Sequence, residues 1–214
     1  MRMDSRLTNL SEQFGNIDIY LFDQILKGRF TRNMKILDAG CGSGRNLVYF
    51  IKNGYHVFGV DSLSDSIEQL RDLASQSSSE LGKDNFRLEV IESMSFIDSY
   101  FDGVICNAVL HFARNKQHFE AMLSAIWRVT KPGGVVFARL ASSIGIEERI
   151  QPLQGGRYRL PDGSSRFLVN EAMLLNYSKN FGASLLEPIK TVNVQNQRCM
   201  TTWVLRKRTS PETD

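Results

Sequence analysis

The sequence predicts an α/β fold built on a mostly parallel sheet, and three observations carry that reading. From residue 35 onward, short β-rich runs alternate with segments whose apolar residues recur at helical spacing. One of those runs, Lys35-Ile-Leu-Asp38, leads directly into a glycine-rich turn and then a helix. The chain has 214 residues, 42% hydrophobic and 23% charged, which is enough apolar material for one buried core. A single domain over residues 1–214 is therefore expected.

The first strand, Lys35–Asp38, is followed by a helix carrying Leu47, Val48, Phe50 and Ile51, with Gly54 suited to its C-cap. Tyr55–Asp61 reads as the second strand. Leu63, Ile67, Leu70, Leu73 and Ala74 then share one helical face, and the polar, Ser-rich Ser75–Asn85 reads as a surface loop. Further strands are expected at Phe86–Ile91, Phe101–Cys106 and Val135–Leu140. A helix from Lys116 to Val129 separates the last two and stops at Lys131-Pro-Gly-Gly134. The pattern then breaks. Residues 142–166 carry Pro152, Gly155, Gly156 and Pro161-Asp-Gly163, which predicts an inserted loop and hairpin. Asn170 is an N-cap for a helix ending at Phe181-Gly182. Two alternating runs, Ser184–Val194 and Arg198–Arg206, joined by Gln195-Asn-Gln197, predict an antiparallel edge hairpin. Arg206–Asp214 reads as a frayed end.

At the N-terminus, residues 1–34 read as a helical cap. Phe14–Leu26 has apolar residues enough for one helix. That helix either covers a cleft, with Phe14 or Tyr20 pointing inward toward a substrate, or simply packs on the core. The opening Met1–Leu10 lacks the apolar run of a signal peptide, and no stretch is long and apolar enough to span a bilayer. Three scattered cysteines, Cys41, Cys106 and Cys199, form no Cys-x-x-Cys pair. A cytoplasmic protein with no membrane partner is expected. The net charge of +3 argues against a dedicated nucleic-acid binder, and three histidines without ligand spacing argue against a metal site. Oligomeric state is not readable.

The chemistry concentrates in Ile36-Leu-Asp-Ala-Gly-Cys-Gly-Ser-Gly-Arg-Asn46. Gly40, Gly42 and Gly44 let the backbone approach a bound molecule, and the following helix start offers free N–H groups. A nucleotide-like cofactor is expected. Seventeen residues beyond Gly44, Asp61 ends the second strand, where a carboxylate can accept from both hydroxyls of a ribose. The pattern departs from a dinucleotide fingerprint: Arg45 occupies the place of the third glycine, and Asp38 stands two residues before the first. A carboxylate there would repel a pyrophosphate and welcome an ammonium.

At these residues the sequence resembles the class I S-adenosylmethionine-dependent methyltransferases, with Asp38-Ala-Gly-Cys-Gly-Ser-Gly44 matching their first motif. The resemblance extends through Asp61, Glu92-Ser-Met94, Phe101-Asp-Gly-Val-Ile-Cys-Asn-Ala-Val-Leu-His111 and Arg128-Val-Thr-Lys-Pro-Gly-Gly134, covering about Lys35 to Leu140. The Gly-Ser-Gly-Arg-Asn46 ending is also similar to small-molecule methyltransferases of the tellurite-resistance type. What this implies is a Rossmann-like, seven-stranded, mostly parallel sheet of order 3-2-1-4-5-7-6 with an antiparallel last strand and helices on both faces. It implies a cofactor, S-adenosyl-L-methionine, with S-adenosyl-L-homocysteine as product. Asp38, Gly40, Cys41, Gly42, Gly44, Arg45 and Asn46 would hold its methionine end, Asp61 the ribose, and Ser62, Leu63, Glu92, Ser93 and Met94 the adenine. Asn107 would line the cleft near the methyl group.

The implied reaction is direct methyl transfer to a small-molecule acceptor, which needs little acid–base machinery. His111 is read either as a general base or as a structural histidine; Tyr20 is the other catalytic candidate, and His56 and His118 read as incidental. Arg139, Arg149, Arg157, Arg159 and Arg166 gather in and near the insertion. They form either a solvated loop or an anion-binding lid, the second making Arg139 and Arg166 substrate residues and the acceptor anionic. Glu92 would otherwise be a solvated strand end, and Cys41 a small filler. RNA or protein acceptors, a non-catalytic cofactor-binding module and a nicotinamide oxidoreductase are the alternatives.

Overall fold

The computed structural model describes residues 10–77 and 81–209. Residues 1–9, 78–80 and 210–214 lie outside them, and with them most of the frayed end and part of the Ser-rich loop expected from the sequence. The elements are α1 (Leu10–Phe14), α2 (Ile19–Leu26), β1 (Lys35–Ala39), α3 (Val48–Lys52), β2 (His56–Asp61), α4 (Ser64–Ser77) and β3 (Phe86–Leu88). They continue with β4 (Phe101–Asn107), α5 (Lys116–Val129), β5 (Thr130–Ser142), β6 (Gln151–Pro152), β7 (Arg157–Arg159) and β8 (Ser165–Phe167). The chain closes with α6 (Glu171–Asn180), β9 (Ala183–Leu185), β10 (Lys190–Val194) and β11 (Arg198–Lys207).

The main sheet runs β10-β11-β5-β4-β1-β2-β3, with β9 also pairing β11. β3, β2, β1, β4 and β5 are mutually parallel, and β11 is antiparallel to its neighbours. Alternate residues feed two cores: Leu37, Val104, Ala138 and Trp203 join one face, Ile36, Ile105, Phe137 and Val204 the other. α5 and α6 cover the first face; α2, α3 and α4 cover the second. No described helix is long and apolar enough to cross a membrane.

Several expectations are corrected. The sheet has eight strands rather than seven, because the sixth is broken into β9 and β10. Pro188 between them has no N–H for the ladder, and Glu187 turns instead to Lys27 (2.7 Å), Arg29 (3.0 Å) and Lys190 (3.1 Å). The N-terminal helix is two helices, broken over residues 15–18, where Asp18 caps α2 by accepting from the Tyr20 N–H. Residues 131–134 bulge within β5: Phe101 pairs with Thr130 and Gly103 with Val135. α4 runs to Ser77, into the expected loop. The insertion is a three-stranded antiparallel sheet, β6-β7-β8, rather than a hairpin. Elsewhere Asn170 accepts from the Met173 N–H at 2.8 Å, and Gln195 and Asn196 both have positive φ in the tight turn between β10 and β11.

Candidate active site

The turn after β1 is shaped by close approaches. The Gly40 and Cys41 N–H groups donate to the Val60 carbonyl at 2.8 and 3.0 Å. Gly40 has φ +83°, and a Cβ there would lie 2.4 Å from a Val109 methyl, so only glycine lets this turn meet the loop after β4. Gly42 donates its N–H to one Asp61 oxygen at 2.9 Å, while the other Asp61 oxygen accepts from Leu63 N–H at 3.0 Å. Asp61 thus joins the turn to the start of α4.

Gly40, Cys41, Gly42, Arg45 and Asn46 line a cleft of about 620 Å³ together with Asp61, Ser62 and Leu63. Glu92 and Asn107 complete the expected set there. Four expected residues stand elsewhere. Gly44 packs against α4, where a Cβ would meet Leu70 at 2.4 Å. Ser93 closes a 3-10 turn, Ile91–Ser93, whose first two residues line the cleft while Ser93 does not. Met94 is buried, and its carbonyl accepts from Arg128 at 2.8 Å.

Asp38, the fourth, is fully enclosed, and neither of its oxygens has a partner among the described residues. Burial pushes its carboxyl up to about 7, with Arg45 opposing and Asp61 adding to the rise. The Asn107 amide is likewise buried without partners among the described residues. Two orphaned polar groups at the carboxyl ends of adjacent strands, beside a glycine turn, suit a polar ligand that would complete their hydrogen bonds.

Residues outside the expected set also line this cleft, among them Ser43, Val90, Ile91, Phe112, Arg114 and His118. His118 is not incidental. Its Nδ1 accepts from the Arg114 N–H at 3.1 Å, so its Nε2 carries hydrogen and donates to Glu92 at 2.9 Å. The available signal was Asn115, which caps α5 by accepting from the His118 N–H and so fixes that residue in the first turn.

A second cavity of about 290 Å³ shares Ala108 with the cleft and holds His111, Arg139 and Arg166. His111 is 6% exposed, and its Nδ1 accepts from the Ala141 N–H at 3.2 Å. Burial and the Arg166 charge push it down to about 4. It is neutral, with hydrogen on Nε2 and its Nδ1 lone pair engaged, which makes it a donor and favours the structural of its two expected readings over the general base. Arg139 pairs with Asp18 at 3.0 Å, and its guanidinium lies 4.7 Å from the Tyr20 ring centre. Tyr20 lines neither cavity. Phe14 stacks on Tyr49 at 5.3 Å and so packs against α3 instead of facing a substrate. Arg166 lies over the Phe112 ring at 4.9 Å. Arg157 is committed to the Ala113 and Ser165 carbonyls, and Arg149 and Arg159 are exposed outside both cavities.

Residues 37–138 match the family model of the methyltransferase domain. The chain is 36% identical over 108 residues to an S-adenosyl-L-methionine-dependent Diels-Alderase of Talaromyces variabilis, covering 47% of this chain and 34% of that one. It is 29% identical over 103 residues to a ubiquinone biosynthesis O-methyltransferase of Rickettsia bellii, covering 48% and 40%. The chain therefore spans well under half the length of these curated relatives. In structure it resembles the 1,6-didemethyltoxoflavin-N1-methyltransferase of Burkholderia thailandensis, solved with S-adenosylhomocysteine, at TM-score 0.67 and 18% identity over 94% of this chain and 82% of that one. Residues 37–138 are thus similar to the methyltransferase domain, and the fold is the Rossmann-like fold of S-adenosylmethionine-dependent methyltransferases of known structure.

Proposed function

We propose that the chain binds S-adenosyl-L-methionine in the 620 Å³ cleft and transfers its methyl group to a small-molecule acceptor. The observation that carries this reading is Asp61, whose carboxylate lines the cleft while bridging the Gly42 and Leu63 N–H groups. Those bonds hold both oxygens in place, and their remaining lone pairs suit a pair of ribose hydroxyls. When bound, the cofactor supplies a methyl group on positively charged sulfur, activated for displacement by an acceptor lone pair.

The chain's own residues hold and orient. Asp38 and the glycine turn over residues 40–46 suit the methionine end, with Asp38 ionising opposite an ammonium. Glu92, fixed by His118, suits the adenine. Asn107 offers both a donor and an acceptor at the carboxyl end of β4, the edge where ligands lie in open α/β sheets. His111 takes no proton, so an acceptor proton leaves to solvent. A cytoplasmic setting fits three free, buried cysteines.

The relative described as a Diels-Alderase supports a second reading, in which the same cleft holds the cofactor without methyl transfer. Calorimetric titration with S-adenosylhomocysteine tests the shared premise; absence of binding overturns both. Release of S-adenosylhomocysteine from bound donor in the presence of a small-metabolite pool supports transfer, and tight binding without release supports the second reading.

A further inference from the structure

We propose, resting on the methyl-transfer reading above, that the 290 Å³ cavity is the acceptor subsite and that it takes a small organic acid. Its carboxylate is held by Arg166 and Arg198 with the Nε2–H of His111.

The position follows from Ala108. This residue lines both cavities, has φ +62°, and donates its N–H to the Arg139 carbonyl at 2.7 Å. The two cavities therefore adjoin at the carboxyl end of β4, with Ala108 and the Phe112–Arg166 pair between them.

The ligand class follows from charge. Arg139, Arg166 and Arg198 line the cavity, drawn from β5, β8 and β11. Two carboxylates answer them. Asp18 pairs with Arg139 at 3.0 Å, and Asp162 stands 4.0 Å from Arg198 while accepting from the Ser164 N–H and hydroxyl. One positive charge is left uncompensated, which matches a carboxylate better than a dianionic phosphate. Arg166 donates one guanidinium N–H to the Ser165 carbonyl and lies over Phe112, so its orientation is fixed while its charge stays unpaired among the described residues. The Arg139 Nε is buried with no partner among the described residues. His111 is more than nine-tenths buried, with Nδ1 engaged by Ala141, and contributes a neutral N–H. Guanidinium groups and a neutral donor converging on one space are what a carboxylate requires. Leu160, Val194 and Met200 complete the wall and suit an apolar body behind it.

The test is calorimetry on the protein saturated with S-adenosylhomocysteine, using benzoate, 3-phenylpropionate, their amides and inorganic phosphate as probes. The expected result is that at least one acid binds about tenfold tighter than its amide and tighter than phosphate. Arg166→Gln and Arg198→Gln should each reduce that preference about fivefold, with S-adenosylhomocysteine affinity unchanged. Arg198 has no closer partner than Asp162 at 4.0 Å among the described residues, so its variant retains the fold. Equal binding of acids and amides, preference for phosphate, or an acid preference that survives both substitutions overturns the proposal. Failure of S-adenosylhomocysteine to bind overturns the cofactor reading instead, and the acid–amide comparison repeated without it still reads the cavity.

Discussion

Asp18 and Arg139, 121 residues apart in the chain, meet at 3.0 Å and fasten the helix pair α1–α2 to the carboxyl end of β5. The same Asp18 caps α2 through the Tyr20 N–H, and its own N–H donates to Asn46 in the glycine turn at 3.1 Å. One residue thus ties the N-terminal cap to both cavities. Asp18→Asn keeps a cap but leaves the Arg139 charge unanswered, with an expected loss of about 3 kcal/mol. Asp18→Ala loses the cap as well, about 1 kcal/mol more. Denaturant unfolding measures both, and an Asn variant as stable as the parent would show the latch to be idle.

Asp38 couples ligand to proton. Its folded pKa, about 7, stands above the 3.8 of a free carboxyl. Between those values the folded chain keeps a proton that the unfolded chain has lost, so this group's contribution to stability falls as pH rises. An ammonium beside it restores ionisation. Binding of S-adenosylhomocysteine at pH 6 should release about one proton per site, and at pH 8.5 almost none; titration in buffers of different ionisation enthalpy counts them. Asp38→Asn should release none, bind more weakly, and unfold at higher temperature than the parent at pH 8 without ligand.

His111 pulls the other way. Its folded pKa of about 4 lies below the 6.5 of a free imidazole, so on acidification the unfolded chain takes up the proton first. Its stabilising contribution is intact above pH 6.5 and is lost toward pH 4, at most about 3 kcal/mol. Over that interval it offsets Asp38. His111→Gln should remove the offset, leaving stability to fall as pH rises from 4 to 7, while Asp38→Asn should show the reverse slope. Two single variants with parallel pH profiles would refute the assignment.

Gly40 is the steric hinge between the turn and Val109. Gly40→Ala puts a methyl 2.4 Å from a Val109 carbon at φ +83°, with an expected cost of about 2 kcal/mol or more and loss of S-adenosylhomocysteine binding. Adding Val109→Ala should recover part of the stability, leaving about 1 kcal/mol of backbone strain. Gly42→Ala meets nothing within 4 Å and should cost only that strain. Equal losses at both glycines would contradict the contact.

Local signals carried much of the fold. The helix Lys116–Val129 lies where its apolar spacing places it, and the strand–turn–helix around Gly40 follows from consecutive residues. Long-range partners were silent in the sequence. Glu187 breaks the sixth strand by reaching Lys27 and Arg29, 160 and 158 residues away. The second cavity draws one arginine from each of three strands, and Arg198 stands apart from the arginine-rich insertion that drew attention by composition. Glu92-Ser-Met94 reads as a unit, yet the 3-10 turn separates its side chains between cleft and core.

The three cysteines offer a last consequence. Cys41, Cys106 and Cys199 are all buried and unpaired, and burial raises each thiol above its ordinary range. They sit in three different places: the glycine turn, the carboxyl end of β4 and the small core under the insertion. Alkylation by a thiol reagent is therefore a three-point clock of conformational opening. Modification of Cys199 ahead of the others would report the insertion loosening alone, and simultaneous modification of all three would report the whole chain opening as one unit.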